Sequence, residues 1–207
     1  VLIGDVGTSI RKYAATGWEA DRGWDAHVKR SSPMWDVEAI RKDIVGIDGL
    51  AEQERVHCGL FKQSYYVDHD NHEAILGVVD ERVKGKYDEV IIYSYDSQSG
   101  DGLLDFLPRS ATKQTALEYI AEKYHAGKDD VLFCGDSGND IQPLTAGFCG
   151  VMVRNADDQL VANVKAALQE NPDLRIYHAN GDDKFSGFYT SGVIEGAYHY
   201  GFFGDKA

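Results

Sequence analysis

The chain has 207 residues, 43% hydrophobic and 27% charged, enough to bury a core as one large domain or two small ones and inconsistent with a disordered chain. No run approaches the roughly 20 apolar residues that cross a bilayer, and no basic-then-apolar leader opens the sequence, so no membrane span is expected and a soluble, cytoplasmic protein is. Acidic residues outnumber basic ones 34 to 21, for a formal net charge of −13 without a Lys/Arg-rich run, which argues against nucleic acid as a partner and requires local cations for any small anionic substrate.

Residues 1–8, VLIGDVGT, read as a buried strand running into a glycine turn. The apolar opening and a first methionine only at Met34 predict that the gene product starts upstream of Val1. Strand-like runs rich in aromatic or β-branched residues follow at 9–18, 59–69, 89–95 and 102–108, with helical patterns at 34–44 and 72–83. This middle stretch reads as a small α+β unit. From Lys113 the texture changes: apolar residues at helical spacing over 112–124, a buried strand in DDVLFCGD (129–136), a helix from Asn139, a strand at 147–153, a helix at 158–169, a strand at 174–179 and a last helix at 191–203. Strands alternating with helices predict βαβ units and a parallel sheet covered on both faces.

The odd set Cys58, Cys134 and Cys149 lacks metal-ligand spacing and reads as reduced thiols; the seven histidines are scattered in no metal or triad pattern. The late aromatics Phe185, Phe188, Tyr189, Tyr198, Tyr200, Phe202 and Phe203 stand at near-helical spacing, which predicts core packing.

The sharpest chemical signal is Cys134-Gly135-Asp136-Ser137-Gly138-Asn139-Asp140, directly after an apolar strand. Ligands of parallel α/β sheets bind outside the carboxyl ends of the strands, and here two carboxylates and an amide stand at such an end. Hard oxygen donors of this kind suit Mg²⁺, which takes one or two protein carboxylates and leaves other positions to water and phosphate. A polar strand-to-helix turn with Asp140 at the helix start would read the same way, and Asn155, Asp157 and Asp158 before the helix at 158–169 suit a helix cap. Lys113, opening an amphipathic helix, could donate to phosphate oxygens; alone it would pass for a solvated helix lysine.

These residues resemble the haloacid-dehalogenase-like superfamily, whose members carry in order a DxDxT nucleophile loop, a Ser/Thr motif, a lysine at a helix start and an acidic GDxxxD-type turn. Lys113 matches the third and Gly135, Asp136, Ser137, Asn139 and Asp140 the fourth. GDSGNDI, GVMVRNA at 150–156, SGVIEGAYHYGFF near the end, VIIYSYDSQSGDGLLDFLPRSATK at 90–113 and FKQSYYVD at 61–68 are similar to the sucrose-phosphate phosphatase branch. The resemblance implies a Rossmann-like parallel-sheet core of 1–8 and 108–207 with an inserted α+β cap domain at 9–107, the core being incomplete at its N-terminus. It implies Mg²⁺-dependent hydrolysis of a small-molecule sugar phosphate, sucrose 6-phosphate first, through an aspartyl-phosphate. Asp136 and Asp140 would hold the metal, Lys113 would act in catalysis, and Asn139, Ser137 and Asn155 would lie around the phosphate. Gly7, Thr8, Ser9, Lys62 and Ser64 would contact the sugar, although Lys62, alternating with apolar neighbours, equally suits a solvent-facing strand lysine.

Two departures accompany the resemblance. The DxDxT loop and Ser/Thr motif have no counterpart: in Asp5-Val6-Gly7-Thr8, glycine stands where the second aspartate belongs and the threonine comes one residue early, so it is rejected as the nucleophile. The chain by itself is therefore expected to be inactive, and to pair with a missing N-terminal segment or with itself to cover the sheet. Ser9, in a turn resembling VG(T/S)EI, replaces a glutamate that the resemblance assigns to sugar recognition. A phosphatase for another glycosyl phosphate and a non-catalytic phosphatase-like domain that binds a sugar phosphate or a partner protein are the alternatives.

Overall fold

An antiparallel meander of β1 (Leu2–Gly4), β2 (Ser9–Ala14) and β3 (Gly17–Ala20) opens the chain. The computed structural model describes residues 1–96 and 99–204, so Ser97 and Gln98, inside the family-like stretch 90–113, lie outside the described residues. The chain divides into two units, Val1–Ala116 and Leu117–Ala207.

In the first unit the expected single strand at 9–18 is a hairpin. Ala14 pairs with Gly17 across a two-residue loop, and Gly17 takes φ +114, which a side chain would oppose. The strand expected to be buried at 1–8 is instead short and half-exposed, with Leu2 at 50%, because β1 has only β2 beside it among the described strands. The helix α1 (Arg22–Ser31) was not expected, since only Trp24, Ala26 and Val28 interrupt its polar sequence. Its signals are an N-cap, Asp21, whose carboxylate accepts from the Gly23 and Trp24 N–H groups, and two fully buried residues one turn apart, Trp24 and Val28.

The larger sheet of this unit has the order β4 (Leu50–Glu52), β5 (Gln63–Val67), β7 (Asp101–Pro108), β6 (Glu89–Asp96), antiparallel throughout. Alternation directs Tyr65 and Val67 of β5 and Leu104 and Phe106 of β7 to one face, where α2 (Val37–Ile44) and α3 (His72–Val83) add Ile40, Ile44, Ile75, Val79 and Val83. Each such side chain contributes roughly 1.5–3 kcal/mol on full burial. The helix expected from Met34 starts at Val37 because the Asp36 carboxylate caps it, accepting from the Ala39 N–H at 3.0 Å. The same alternation puts Ser64 and Asp105, paired in register, on the opposite face.

In the second unit β8 (Leu132–Gly135), β9 (Cys149–Met152) and β10 (Ile176–His178) form the expected parallel sheet, ordered β10-β9-β8. One face meets α5 (Ile141–Thr145) and α6 (Asp158–Glu170) through Leu144, Met152, Leu160 and Val164; the other meets α7 (Tyr189–His199) through Val151, Val153 and Val193. Helix α4 (Lys113–Lys123) crosses the division between the units. Among the described strands β8 is an edge with one side unpaired.

The last helix ends at His199 rather than 203, and the aromatic prediction needs correction. Tyr189, Tyr198 and Phe203 are 70%, 58% and 55% exposed, and Phe188 and Phe202 are also exposed. The buried positions of α7 are Gly192, Glu195, Gly196 and Ala197, and the glycines let the helix lie close on Val151 and Val153; Tyr189 and Tyr198 are left exposed, Phe188, Phe202 and Phe203 lie outside the helix, and Tyr200 packs against the core.

Candidate active site

At the end of β8 the chain turns sharply around a buried carboxylate. Asp140, 5% exposed, accepts at Oδ2 from the N–H groups of Asp136 at 3.1 Å and Ser137 at 3.2 Å, while its own N–H donates to the Ser137 carbonyl at 2.8 Å. The Ser137 hydroxyl lies 3.0 Å from Asn139 Oδ1 and 3.3 Å from Asp140 Oδ2. Gly135 is required by this approach: a Cβ there would stand 2.6 Å from the Cβ of Asp140.

Asp157, which in the sequence reads only as a helix cap, secures the turn from the other side. It does cap α6, accepting from the Leu160 N–H at 2.6 Å, but its second oxygen accepts from the Gly138 N–H at 3.0 Å and its N–H donates to the Asp136 carbonyl at 2.8 Å. Asp136 is thus pinned through both backbone groups, while its exposed carboxylate makes no hydrogen bond within the turn. A carboxylate presented this way at a strand's carboxyl end suits a cation or a ligand rather than the fold. The oxygens of Asp136, Asn139 and Asp140, all within five residues, are hard donors of the kind that fits Mg²⁺.

A cavity of about 210 Å³ lies beside Asp136, lined by Cys134, Gly135, Val153, Tyr189 and Val193. Asn155 does not line it; its Oδ1 accepts from the Tyr189 N–H at 2.7 Å and so fixes the start of α7 beside the cavity. Burial pushes the Cys134 thiol up to about 11. At pH 8 only about a thousandth of it is thiolate. Iodoacetamide labelling of Cys134, followed by peptide mass mapping, is expected to be very slow at pH 8 and to accelerate roughly tenfold per pH unit up to about pH 11; rapid labelling at pH 8 would contradict this burial.

In the first unit, Lys113 opens α4 directly after its cap. Thr112 and Thr115 cap reciprocally: the Thr112 N–H donates to Thr115 Oγ1 at 2.8 Å, and the Thr115 N–H donates to Thr112 Oγ1 at 3.3 Å. Gly7 packs under this point. It sits at φ +101, and a Cβ would lie 2.2 Å from the Thr112 carbonyl carbon and 2.4 Å from the Lys113 nitrogen. Both the backbone angle and the space demand glycine. Gly7→Ala is expected to cost roughly 2–5 kcal/mol of stability, measured by denaturant unfolding; a cost below about 1 kcal/mol would contradict this packing.

A second cavity, of about 190 Å³, gathers Asp5, Thr8, Ser9, Arg11, Asp25 and Lys62. The Ser9 hydroxyl donates to Asp5 Oδ2 at 2.7 Å, the Thr8 hydroxyl donates to the Asp5 carbonyl at 2.8 Å, and the indole of Trp24 donates to the Thr8 carbonyl at 3.2 Å. Lys62 does not face solvent as a free strand lysine. Its side chain is 14% exposed, with Nζ 3.4 Å from Asp105 Oδ1. The Ser64 hydroxyl is 2.5 Å from that same oxygen. Of the residues expected at the sugar, the structure therefore brings Thr8, Ser9 and Lys62 to one cavity; Ser64 shares Asp105 Oδ1 with Lys62 outside its lining, and Gly7 lies against the helix start. The sequence carries no signal that brings Asp25 or Asp105 to these residues, and it reads Asp157 only as a helix cap and Asp5 only as a rejected nucleophile.

The family model described as sucrose-6F-phosphate phosphohydrolase matches residues 1–201. The chain belongs to this family. Among family relatives, sucrose-phosphatase 1 of Nicotiana tabacum is 32% identical over 184 residues, covering 86% of this chain and 40% of that protein. Mannosylfructose-phosphate phosphatase of Agrobacterium fabrum is 29% identical over 202 residues, covering 97% and 72%. The chain thus spans less than half the length of the tobacco relative. The crystal structure of the Synechocystis sucrose-phosphatase in complex with sucrose and phosphate superposes with a TM-score of 0.70 at 25% identity, covering 94% of this chain and 71% of that one. The fold is accordingly the haloacid-dehalogenase-like α/β fold of this phosphohydrolase family.

Proposed function

We propose that the chain carries the metal-, phosphate- and sugar-handling residues of a Mg²⁺-dependent phosphatase that hydrolyses sucrose 6-phosphate to sucrose and phosphate. The observation that carries this reading is Asp136: an exposed carboxylate at the carboxyl end of β8, its backbone held by Asp140 and Asp157. Membership of the sucrose-6F-phosphate phosphohydrolase family supports the substrate class.

In this reading residues 1–8 and 108–207 belong to the catalytic core and 9–107 to the cap. Asp136 and Asp140 hold Mg²⁺, which when bound neutralises phosphate charge during transfer. Asp140 acts equally by shaping the turn, since its Oδ2 already accepts from two backbone N–H groups. Asn139 and Ser137 orient the phosphate side of the turn, and Asn155 holds the adjoining start of α7. Lys113 stabilises the charge of the transferring phosphoryl group. The attacking carboxylate, which forms an aspartyl-phosphate that water then hydrolyses, belongs to a DxDxT loop, a motif that residues 1–207 do not contain. The edge of β8, unpaired among the described strands, suits pairing with a strand from such a segment or with a second copy.

A second substrate reading is favoured by Ser9, which stands where the resemblance places a glutamate, and by the mannosylfructose-phosphate relative. Phosphate release from a panel of sugar phosphates by the full-length protein with Mg²⁺ separates the two. Sucrose 6-phosphate preferred by about tenfold or more in kcat/KM supports the first reading; preference for another disaccharide phosphate moves the substrate and keeps the chemistry. Release from none of them would leave a sugar-phosphate-binding domain.

A further inference from the structure

We propose that Asp5 selects the sugar, its carboxylate accepting hydrogen bonds from substrate hydroxyls, with Ser9 as the residue that positions it. This rests on the phosphatase reading for its substrate and on the geometry of the first unit for its site.

Asp5 and Val6 have φ +50 and +54, ahead of Gly7 at +101. Left-handed backbone at residues other than glycine is costly and persists where surrounding contacts hold it. Here they do: the Thr8 hydroxyl and N–H both donate to the Asp5 carbonyl, at 2.8 and 3.1 Å, and the buried Trp24 indole holds Thr8 in turn. This strained turn directs the Asp5 side chain to the cavity that also receives Ser9, Arg11, Asp25 and Lys62.

Asp5 is exposed, and Ser9 is its side-chain partner, at 2.7 Å on Oδ2. An ionised carboxylate offers about four acceptor positions, so one donor leaves most of them for a ligand. Lys62 does not consume them, because its ammonium is engaged by Asp105. The cavity sets the carboxylates of Asp5 and Asp25 beside the Arg11 guanidinium, an alternation of acceptors and donors that matches a neutral group rich in hydroxyls. The cavity is therefore assigned to the sugar and not to the phosphate. With Ser9 Oγ 2.7 Å from Asp5 Oδ2, the two side chains end side by side at this cavity.

The test uses Asp5→Asn, which keeps the side-chain shape and tolerates left-handed backbone, and the exchange D5S/S9E, which moves the carboxylate to the other residue. In the full-length protein, D5N is expected to raise KM for the preferred sugar phosphate about tenfold or more with kcat within about threefold, and D5S/S9E to return KM to within about threefold of the parent. Calorimetric binding of free sucrose and free mannosylfructose is expected to follow the same order. Parent-like KM and sugar affinity in D5N, or a folded D5S/S9E no better than D5N, would overturn the assignment. The two readings fail separately. A parent that binds sugar through Asp5 yet releases no phosphate upholds this inference against the phosphatase reading; hydrolysis with a KM indifferent to Asp5 does the reverse, and a parent that neither binds sugar nor releases phosphate overturns both.

Discussion

Asp136→Asn is expected to lower kcat for sugar-phosphate hydrolysis by about a hundredfold or more while leaving stability within roughly 1 kcal/mol of the parent. The separation follows from the geometry. Folding uses the Asp136 N–H and carbonyl, held by Asp140 and Asp157, and asparagine keeps both; the carboxylate makes no hydrogen bond within the turn, so its removal strands no buried donor. What is lost is the negative charge available to a divalent cation, which an amide oxygen replaces poorly. Initial rates at saturating Mg²⁺ and a denaturant melt of the same preparation check both halves. Near-parent kcat would remove Asp136 from the metal site, and a large loss of stability would make it a structural residue.

Lys113→Ala is expected to cost a comparable share of turnover, about a hundredfold to a thousandfold, the scale seen when one preorganised donor to a developing anion is removed. The helix should survive, because its start is capped by the Thr112 and Thr115 pair and braced by Gly7, none of which involves the Lys113 ammonium. A cation at the first residue of a helix faces the positive end of the helix dipole, an arrangement that opposes stability by some tenths of a kcal/mol. Single-turnover rates with circular dichroism provide the check: unchanged helix content with a rate near the parent's would remove Lys113 from catalysis.

Legibility from sequence followed the strength of the local pattern. The second unit was read almost element by element, because buried parallel strands such as 149–152 stand as unbroken apolar runs beside amphipathic helices such as 158–170. The acidic turn was legible for the same reason: its residues are consecutive. Helix α1 was not, since its two core residues are embedded in charge, and β4, three residues long, carries too short a pattern to stand out. Contacts around the candidate site that depend on distant pairing are the least visible. Asp105 joins Lys62 and Ser64 only through the register of β5 with β7, and Asp157 reaches Gly138 across 19 positions. Period-2 alternation could have placed Asp105 on the face away from Leu104 and Phe106, but not opposite Ser64. The exposure of Tyr189 and Tyr198 shows the converse, aromatics of a helix that packs through its glycines.

The Mg²⁺-dependent phosphatase reading is tested most directly by phosphate release from sucrose 6-phosphate by the full-length protein, with Mg²⁺ and with a chelator, beside the 207-residue chain under the same conditions. Release by the full-length protein that needs Mg²⁺, and none from the chain alone, is the expected result. Release that is equally fast in chelator, or no release from the full-length protein with Mg²⁺ present, would contradict it.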